Sequence, residues 1–469
     1  MEGMANAMLF QQPVRIAEST SNSTFPHLLK KNEALQQPRK QSLISHFDFN
    51  DVSPRAKVLY QILTGVPPHA IDAALADCPI TPTPDVVEEV LKLLYGSPDA
   101  AVKLFRWAGL KRKHSSYAWS LMVDLLGKNQ LFEPMWDAIR SMKKENVLSS
   151  ATFVSVFGSY CMAGRCKEAI MTFDVMEKYG VEPDVVAMNS LMSAICREDK
   201  QVAVAVEFFE RVKVKISPDA DTFAILLEGW EKEGNAAEAK RTFGEMVIRV
   251  GWSPNYMSAY DAFLTTLVRG SQPDEALKFL SVMKKRDCLP GLKFFSNSLD
   301  ILVKRSDATN ALLLWSVMLE SGLMPDLLMY NAIISLACKG NDTDTAFRFL
   351  DEMVYYGAFP DSWTYNMIFK CLVKNKKVRE TGVEIWNYMI DNQILPLDES
   401  AHAFLIGLSK MDRLSELRRY IDDMLDRRID ISESTMTALK SAFYKDGRSS
   451  RDVYDNLMRR WKSIKKFGR

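Results

Sequence analysis

Seven prolines punctuate most of this chain at nearly equal steps: Pro183, Pro218, Pro254, Pro290, Pro325, Pro360 and Pro396, separated by 35, 36, 36, 35, 35 and 36 residues. Four of them are followed by an aspartate, namely Asp184, Asp219, Asp326 and Asp361. A single Pro-Asp is ordinary turn chemistry. A train of them at one period means tandem supersecondary units, and that constrains the fold more than any other feature of the chain. A chain of 469 residues is also too long for one compact core, which leaves several domains or a repeat array.

Numbering each unit so that Pro-Asp falls at positions 34 and 35 gives nine units: 116–149, 150–184, 185–219, 220–256, 257–291, 292–326, 327–361, 362–397 and 398–432. Position 4 is aromatic or Met in most of them, as in Trp119, Phe153, Met188, Phe223, Tyr260, Phe295, Tyr330 and Tyr365. Apolar residues follow it at helical spacing, which predicts an amphipathic first helix. A polar turn comes next, for example Ala163-Gly164-Arg165 and Lys339-Gly340-Asn341. The second helix carries Ala at position 20 (Ala169, Ala239, Ala276, Ala311, Ala346), where a small residue suits a close helix crossing. Met recurs at position 27, and Gly180, Gly322 and Gly357 stand where a left-handed residue ends a helix. Proline then stops the chain from continuing as helix, and Asp at position 35 caps the next one.

No such hairpin buries its apolar stripe alone, so neighbours must stack. The expectation is an all-α fold, an α-solenoid of tandem helix–turn–helix repeats of about 35 residues with a long concave face. Residues 51–115 read as degenerate leading helical repeats, with helix starts near Ser53 and at Thr83-Pro84-Asp85 and a second helix from about Asp99 to Trp107. Residues 1–50, rich in Ser, Asn and Gln, read either as a transit segment for an organelle or as an unstructured leader. Residues 433–469 read as a degenerate repeat with a basic end, which is either a phosphate-holding tail or a solvated capping face. The eighth unit is irregular. Its turn, Lys374 to Gly382, opens no Glu-Ala start of a second helix, and we read it as two half-repeats fused by a deletion.

Other chemistry is not supported. Net charge is +1, so a nucleic-acid surface must be a local stripe. No apolar run suits a membrane span. The seven cysteines and the scattered histidines form no Cys-x-x-Cys, His-x-Glu or His-Glu-x-x-His pattern, so neither a metal site nor a disulfide framework is readable, and no cofactor is implied. There is no Gly-rich phosphate loop.

The run from Tyr330 and Asn331 through Phe347, Leu350 and Met353 to Gly357, Pro360 and Asp361 resembles a pentatricopeptide repeat, and the likeness covers about 116–432. Units of nearly constant length resemble the P-type subclass of plant organelles. The resemblance implies a right-handed superhelix and binding of single-stranded RNA, one base per repeat. In this family the base is read by position 5 and by the last residue of the repeat. The transferred pairs that match well are Asn189 with Asp219, Ser296 with Asp326 and Asn331 with Asp361. Asn366 is a half match, opposite Leu397. Val154 with Asp184 departs from the pattern, as do the pairs Ser120/Ser149, Ala224/Met256, Asp261/Gly291 and His402/Ser432. Asn with Asp resembles the uridine-reading pair and Ser with Asp the guanine-reading pair, which implies U at the third unit and G-U-pyrimidine at the sixth to eighth.

Asn and Asp at these places also have an ordinary role in caps and turns. At position 2, Val186, Leu328 and Trp363 would flank the bases, though Trp363 equally suits packing between repeats. The family's deaminase extension is absent, and no nuclease tail is seen, so the expectation is a non-catalytic, monomeric RNA-binding adaptor in organellar RNA stabilisation, processing, splicing or translation. Other RNA-processing proteins are its further partners. The resemblance favours mitochondria, with plastids second. The competing reading is a protein-binding scaffold that reads no bases.

Overall fold

The computed structural model describes residues 52–374, 381–410, 413–445 and 447–467, so the leader reading of 1–50 and much of the irregular 374–382 turn lie outside the described residues. All regular structure among the described residues is helical. The chain divides into two compact bodies, one ending at Thr266 and one starting at Leu267.

In the first body, four leading helices (Pro54–Gly65, Ile71–Ala76, Pro84–Leu93 and Pro98–Lys111) precede the hairpins Ser116–Lys128/Phe132–Glu145, Ser150–Met162/Cys166–Val175, Val185–Arg197/Val202–Val212 and Ala220–Glu233/Ala236–Arg249. Proline stands in the first turn of three of the leading helices, at Pro54, Pro84 and Pro98. There its missing N–H costs nothing. The second body holds Pro273–Lys285, then the hairpins Leu292–Arg305/Ala308–Glu320, Leu327–Lys339/Thr343–Tyr355, Ser362–Lys374/Val383–Asp391, Asp398–Ser409/Leu414–Asp426 and Glu433–Lys445/Arg448–Phe467. Helix Met257–Arg269 crosses the division. In the irregular eighth unit the α-helix Val383–Asp391 has 9 residues and follows a π-helical turn at 381–382.

Within each body the first helix of a unit packs on the first helix of the next: Ser116–Lys128 on Ser150–Met162 and so on to Ala220–Glu233, then Leu292–Arg305 on Leu327–Lys339 and onward to Glu433–Lys445. The second helices Cys166–Val175, Val202–Val212, Ala308–Glu320 and Thr343–Tyr355 also lie against the following first helices, as expected for stacked hairpins that share one apolar layer. The repeated small and sulfur-bearing positions form that layer. Ala169, Ala239, Ala276, Ala311 and Ala346 are buried, as are Met142, Met176, Met246, Met283, Met318, Met353 and Met424. Rings fill the gaps between layers, with Phe173 and Phe208 centroids 5.0 Å apart, Trp315 and Tyr330 5.0 Å, and Phe369 and Phe404 5.3 Å.

The caps form as the spacing predicts. Asp184, Asp219 and Asp326 accept backbone N–H bonds from Ala187, Thr222 and Met329 at the heads of the next helices. Gly180, Gly322 and Gly357 take φ of 85°, 76° and 80°. One turn places its left-handed residue beside the glycine. In Lys339-Gly340-Asn341 the left-handed residue is Asn341 (φ 57°), whose short polar side chain tolerates that region, while Gly340 stays right-handed at φ −75°.

None of the seven cysteines forms a disulfide, and six of them are buried. Burial pushes the Cys161 thiol far above its ordinary range and the Cys196 thiol up to about 12, so both act as packing groups rather than nucleophiles. No described helix is long and apolar enough to cross a membrane, and among the described residues no cluster of His, Cys, Asp or Glu could hold a metal ion.

Candidate nucleic-acid interface

Positions 2 and 5 of a repeat are three residues apart and share one face of its first helix. The last residue of that repeat caps the next first helix, and consecutive first helices are neighbours. The fold therefore brings position 5 and the last residue together at each junction, although some 30 residues separate them in sequence.

In the third unit the Asn189 Nδ2 donates to Asp219 Oδ1 at 3.0 Å. Asp219 Oδ1 also accepts the Thr222 backbone N–H at 2.8 Å, and the Asp219 N–H donates to Thr222 Oγ1 at 3.1 Å. The Thr222 hydroxyl in turn lies 2.7 Å from Asn189 Oδ1. The seventh unit repeats this arrangement. Asn331 Nδ2 lies 3.5 Å from Asp361 Oδ1, Thr364 N is 2.8 Å from the same oxygen, and Thr364 Oγ1 is 2.6 Å from Asn331 Oδ1.

The other pairs are placed differently. Asp326 caps Met329 N at 2.8 Å, but no hydrogen bond joins it to Ser296. Val154 has no polar group to offer, and Asp184 serves only as a cap, at 2.7 Å from Ala187 N. Asn366 is 1% exposed and its amide is used internally: Oδ1 accepts from Leu397 N at 3.0 Å, and Nδ2 donates to Ser362 O. With Leu397 in place of Asp there is no carboxylate to turn this amide toward. At position 2, Val186, Leu328 and Trp363 are 61%, 74% and 55% exposed. Trp363 is therefore not buried between repeats.

Burial alone would raise the Asp219 carboxyl, but the bonds from Asn189 and Thr222 outweigh it and hold the group below the usual carboxylate range. The stabilisation from a depressed carboxyl is complete above its unfolded value, near 3.9, and disappears as pH falls through the lower folded value. The stability difference between wild type and Asp219→Asn should therefore stay constant from pH 7 to about pH 5 and narrow only below about pH 4. Urea unfolding across that range measures it, and a gap that changes between pH 7 and pH 6 would contradict the assignment.

Two basic side chains of the C-terminal helix pair with acidic residues of the preceding unit. Arg460 pairs with Asp422 at 2.7 Å and with Asp426, and Lys465 pairs with Asp430 at 2.6 Å. Trp461 Nε1 donates to Ile431 O at 2.8 Å. The last hairpin packs on the unit before it.

Sequence reasoning missed the threonines. Thr222 and Thr364 stand three residues after their caps, and the Asp-x-x-Thr spacing is the signal that could have found them.

The sequence matches the model of the PPR repeat family over residues 148–197 and 325–374, and the PPR repeat model over 258–288. These three stretches are pentatricopeptide repeats. Similar pentatricopeptide repeat-containing proteins occur in Arabidopsis thaliana. One named as mitochondrial is 36% identical over 38% of this chain and 35% of its own length. A second, also named as mitochondrial, is 29% identical over 47% of this chain and 39% of its own. The chain thus spans between a third and two-fifths of the length of these curated relatives. Among solved structures, the pentatricopeptide repeat protein PPR10 in complex with an 18-nucleotide psaJ RNA element aligns with TM-score 0.43 and 19% identity, over 86% of this chain and 68% of that one. Yeast Rmd9p with a 16-nucleotide target RNA aligns with TM-score 0.35 and 8% identity, over 88% of this chain and 97% of that one.

Proposed function

We propose that this pentatricopeptide repeat chain is a sequence-selective, single-stranded-RNA-binding adaptor. It acts in organellar post-transcriptional RNA metabolism, where occupancy of an RNA stabilises it or steers its processing, splicing or translation. The observation that carries this is the hydrogen-bonded Asn–Asp pair at the third and seventh junctions, with exposed apolar side chains on the same helix faces. Polar groups set one repeat apart can each meet the edge of an unstacked base, and the apolar position-2 residues can cover its faces. Asn189 and Asn331 are the primary readers, and Ser296 with Asp326 the guanine reader between them. Val154 with Asp184 contributes shape only. Asn366 reads only after it releases the Leu397 N–H. The names of the similar Arabidopsis proteins favour mitochondria over plastids as the compartment. We take the chain to act as a monomer alongside other RNA-processing proteins, and we assign it no catalytic step.

Phosphate contacts release counterions, so affinity for a single-stranded RNA pool should fall by roughly tenfold or more between 50 and 200 mM salt. Filter binding measures this. A scaffold reading draws on the exposed Tyr355 and Phe359, at 79% and 68%, and predicts no salt-sensitive RNA binding at all.

A further inference from the structure

In the sixth, seventh and eighth units the chain leaves the second helix by one and the same turn. A left-handed residue ends the helix, Gly322, Gly357 or Gln393, at φ of 76°, 80° or 59°. The N–H of the next residue donates back to the carbonyl of Met318, Met353 or Met389, at 3.3, 2.9 or 2.8 Å. Pro325, Pro360 or Pro396 stands two residues further on. The residue just before that proline therefore occupies one structural place in all three units. It is Met324, Phe359 and Leu395, which are 50%, 68% and 73% exposed. At the corresponding place the second, third, fourth and ninth units carry Glu182, Ser217, Ser253 and Asp430, and the first and fifth carry half-buried leucines, Leu148 and Leu289. Single exposed apolar side chains are ordinary. These three stand in consecutive units whose first helices stack in succession, so they form a row along one edge of the second body. Tyr355 and Tyr356, 79% and 45% exposed, stand just before the middle turn of the row.

Charge and spacing say what such a row fits. The three turns with their flanks, 318–326, 353–361 and 389–399, contain six acidic residues and no lysine or arginine. Glu320 is answered by Lys284 at 3.2 Å and Glu399 by Lys370, while Asp326 and Asp361 hold helix caps. Asp391 and Asp398 are exposed. An acidic edge repels a phosphate backbone and suits a cationic protein segment. Stacked helices lie about 8–10 Å apart, which sets the step of the row. On an α-helix, residues seven apart share nearly one face and are about 10.5 Å apart along the axis. A strand needs about three residues for that step, and its side chains alternate in direction, so every second contact would point away. A helix can set one apolar residue on each of the three units, and a strand cannot.

We propose that the edge carrying Met324, Phe359 and Leu395 is a docking surface for a basic amphipathic helix of a partner protein. That helix carries apolar residues at i, i+7 and i+14 and Lys or Arg on its flanks. None of the three side chains is a position-2, position-5 or last residue, so this site adds a protein contact to the RNA reading proposed above and does not depend on it.

The test uses the full chain and three labelled helical peptides of about 18 residues. The first has leucine at i, i+7 and i+14 and lysine on its flanks. The second has glutamate in place of lysine, and the third has the first one's composition in scrambled order. Fluorescence anisotropy should show the wild type binding the first peptide at least roughly tenfold more tightly than either of the others. The triple variant Met324→Ser, Phe359→Ser, Leu395→Ser should lose roughly tenfold or more of that affinity. It should keep the melting temperature and the RNA affinity of the wild type, because its three side chains are exposed. If the wild type does not prefer the first peptide, or the triple variant binds it unchanged, the edge is not a helix-docking surface. If the triple variant instead loses RNA binding at an unchanged melting temperature, the row belongs to the RNA face and the proposal is overturned.

Discussion

The double substitution Asn189→Ala, Asn331→Ala is expected to weaken binding to the chain's selected RNA by roughly 30-fold, with each lost reading contact costing about 1 kcal/mol. The salt dependence should not change, because the phosphate contacts are untouched. The reason lies in what alanine leaves behind. At each junction the Asp still caps its helix, as at Thr222 N, 2.8 Å from Asp219 Oδ1, so the repeat keeps its stack and loses only the group that meets the base. Two measurements distinguish this from unfolding. The melting temperature should move little, and binding to a homopolymer lacking the preferred base should hardly change. An equal loss on every RNA would mean that these amides support the fold and do not read.

The second large effect concerns packing. Gly127, on Ser116–Lys128, faces Ser159 on the next first helix, and a Cβ built on it would lie 2.7 Å from the Ser159 Cβ and 3.1 Å from the Met135 Sδ. Neither the Ser159 Cβ nor the helix that carries it can turn aside, so a larger residue must push adjacent repeats apart. Gly127→Val should destabilise the chain by about 1–3 kcal/mol, as overpacking usually does. Gly158, on the very next first helix, has nothing within 4 Å of such a Cβ. Gly158→Ala should be neutral or stabilise by up to about 1 kcal/mol through helix propensity alone. Paired urea unfolding curves test the contrast, and equal effects at the two glycines would contradict the stacking described here. In a stacked array the loss should first appear near the first and second units, since each repeat leans only on its neighbours.

The period, the hairpins and the caps were legible because they depend on local chemistry. Pro218-Asp219 marks a helix start wherever it stands, and Ala169 or Met353 shows its burial through helical spacing. What stayed hidden depends on the neighbouring repeat. Gln130, Lys200 and Ser306 adopt left-handed φ of 60°, 58° and 59° at their turns without any glycine to announce it. Packing holds them there, not propensity. Thr222 and Thr364 read as helix-cap partners, and only the apposition of consecutive first helices reveals that they also face Asn189 and Asn331. Asn366 shares its residue type with Asn331, yet Leu397 replaces the carboxylate and the amide bonds backbone instead. At the basic end, the partners of Arg460 and Lys465 were hidden because Asp422, Asp426 and Asp430 lie one repeat earlier in sequence and beside them in space.

The central claim is that this array reads bases through the third, sixth and seventh junctions. Selection from a random single-stranded RNA pool by the wild-type chain tests it most directly. The account predicts an enriched element with U, two unspecified positions, then G and U in successive columns, bound with strong salt dependence. A pool that emerges unenriched, with no salt-sensitive binding to any RNA, would contradict it and leave the repeats as a surface for protein partners.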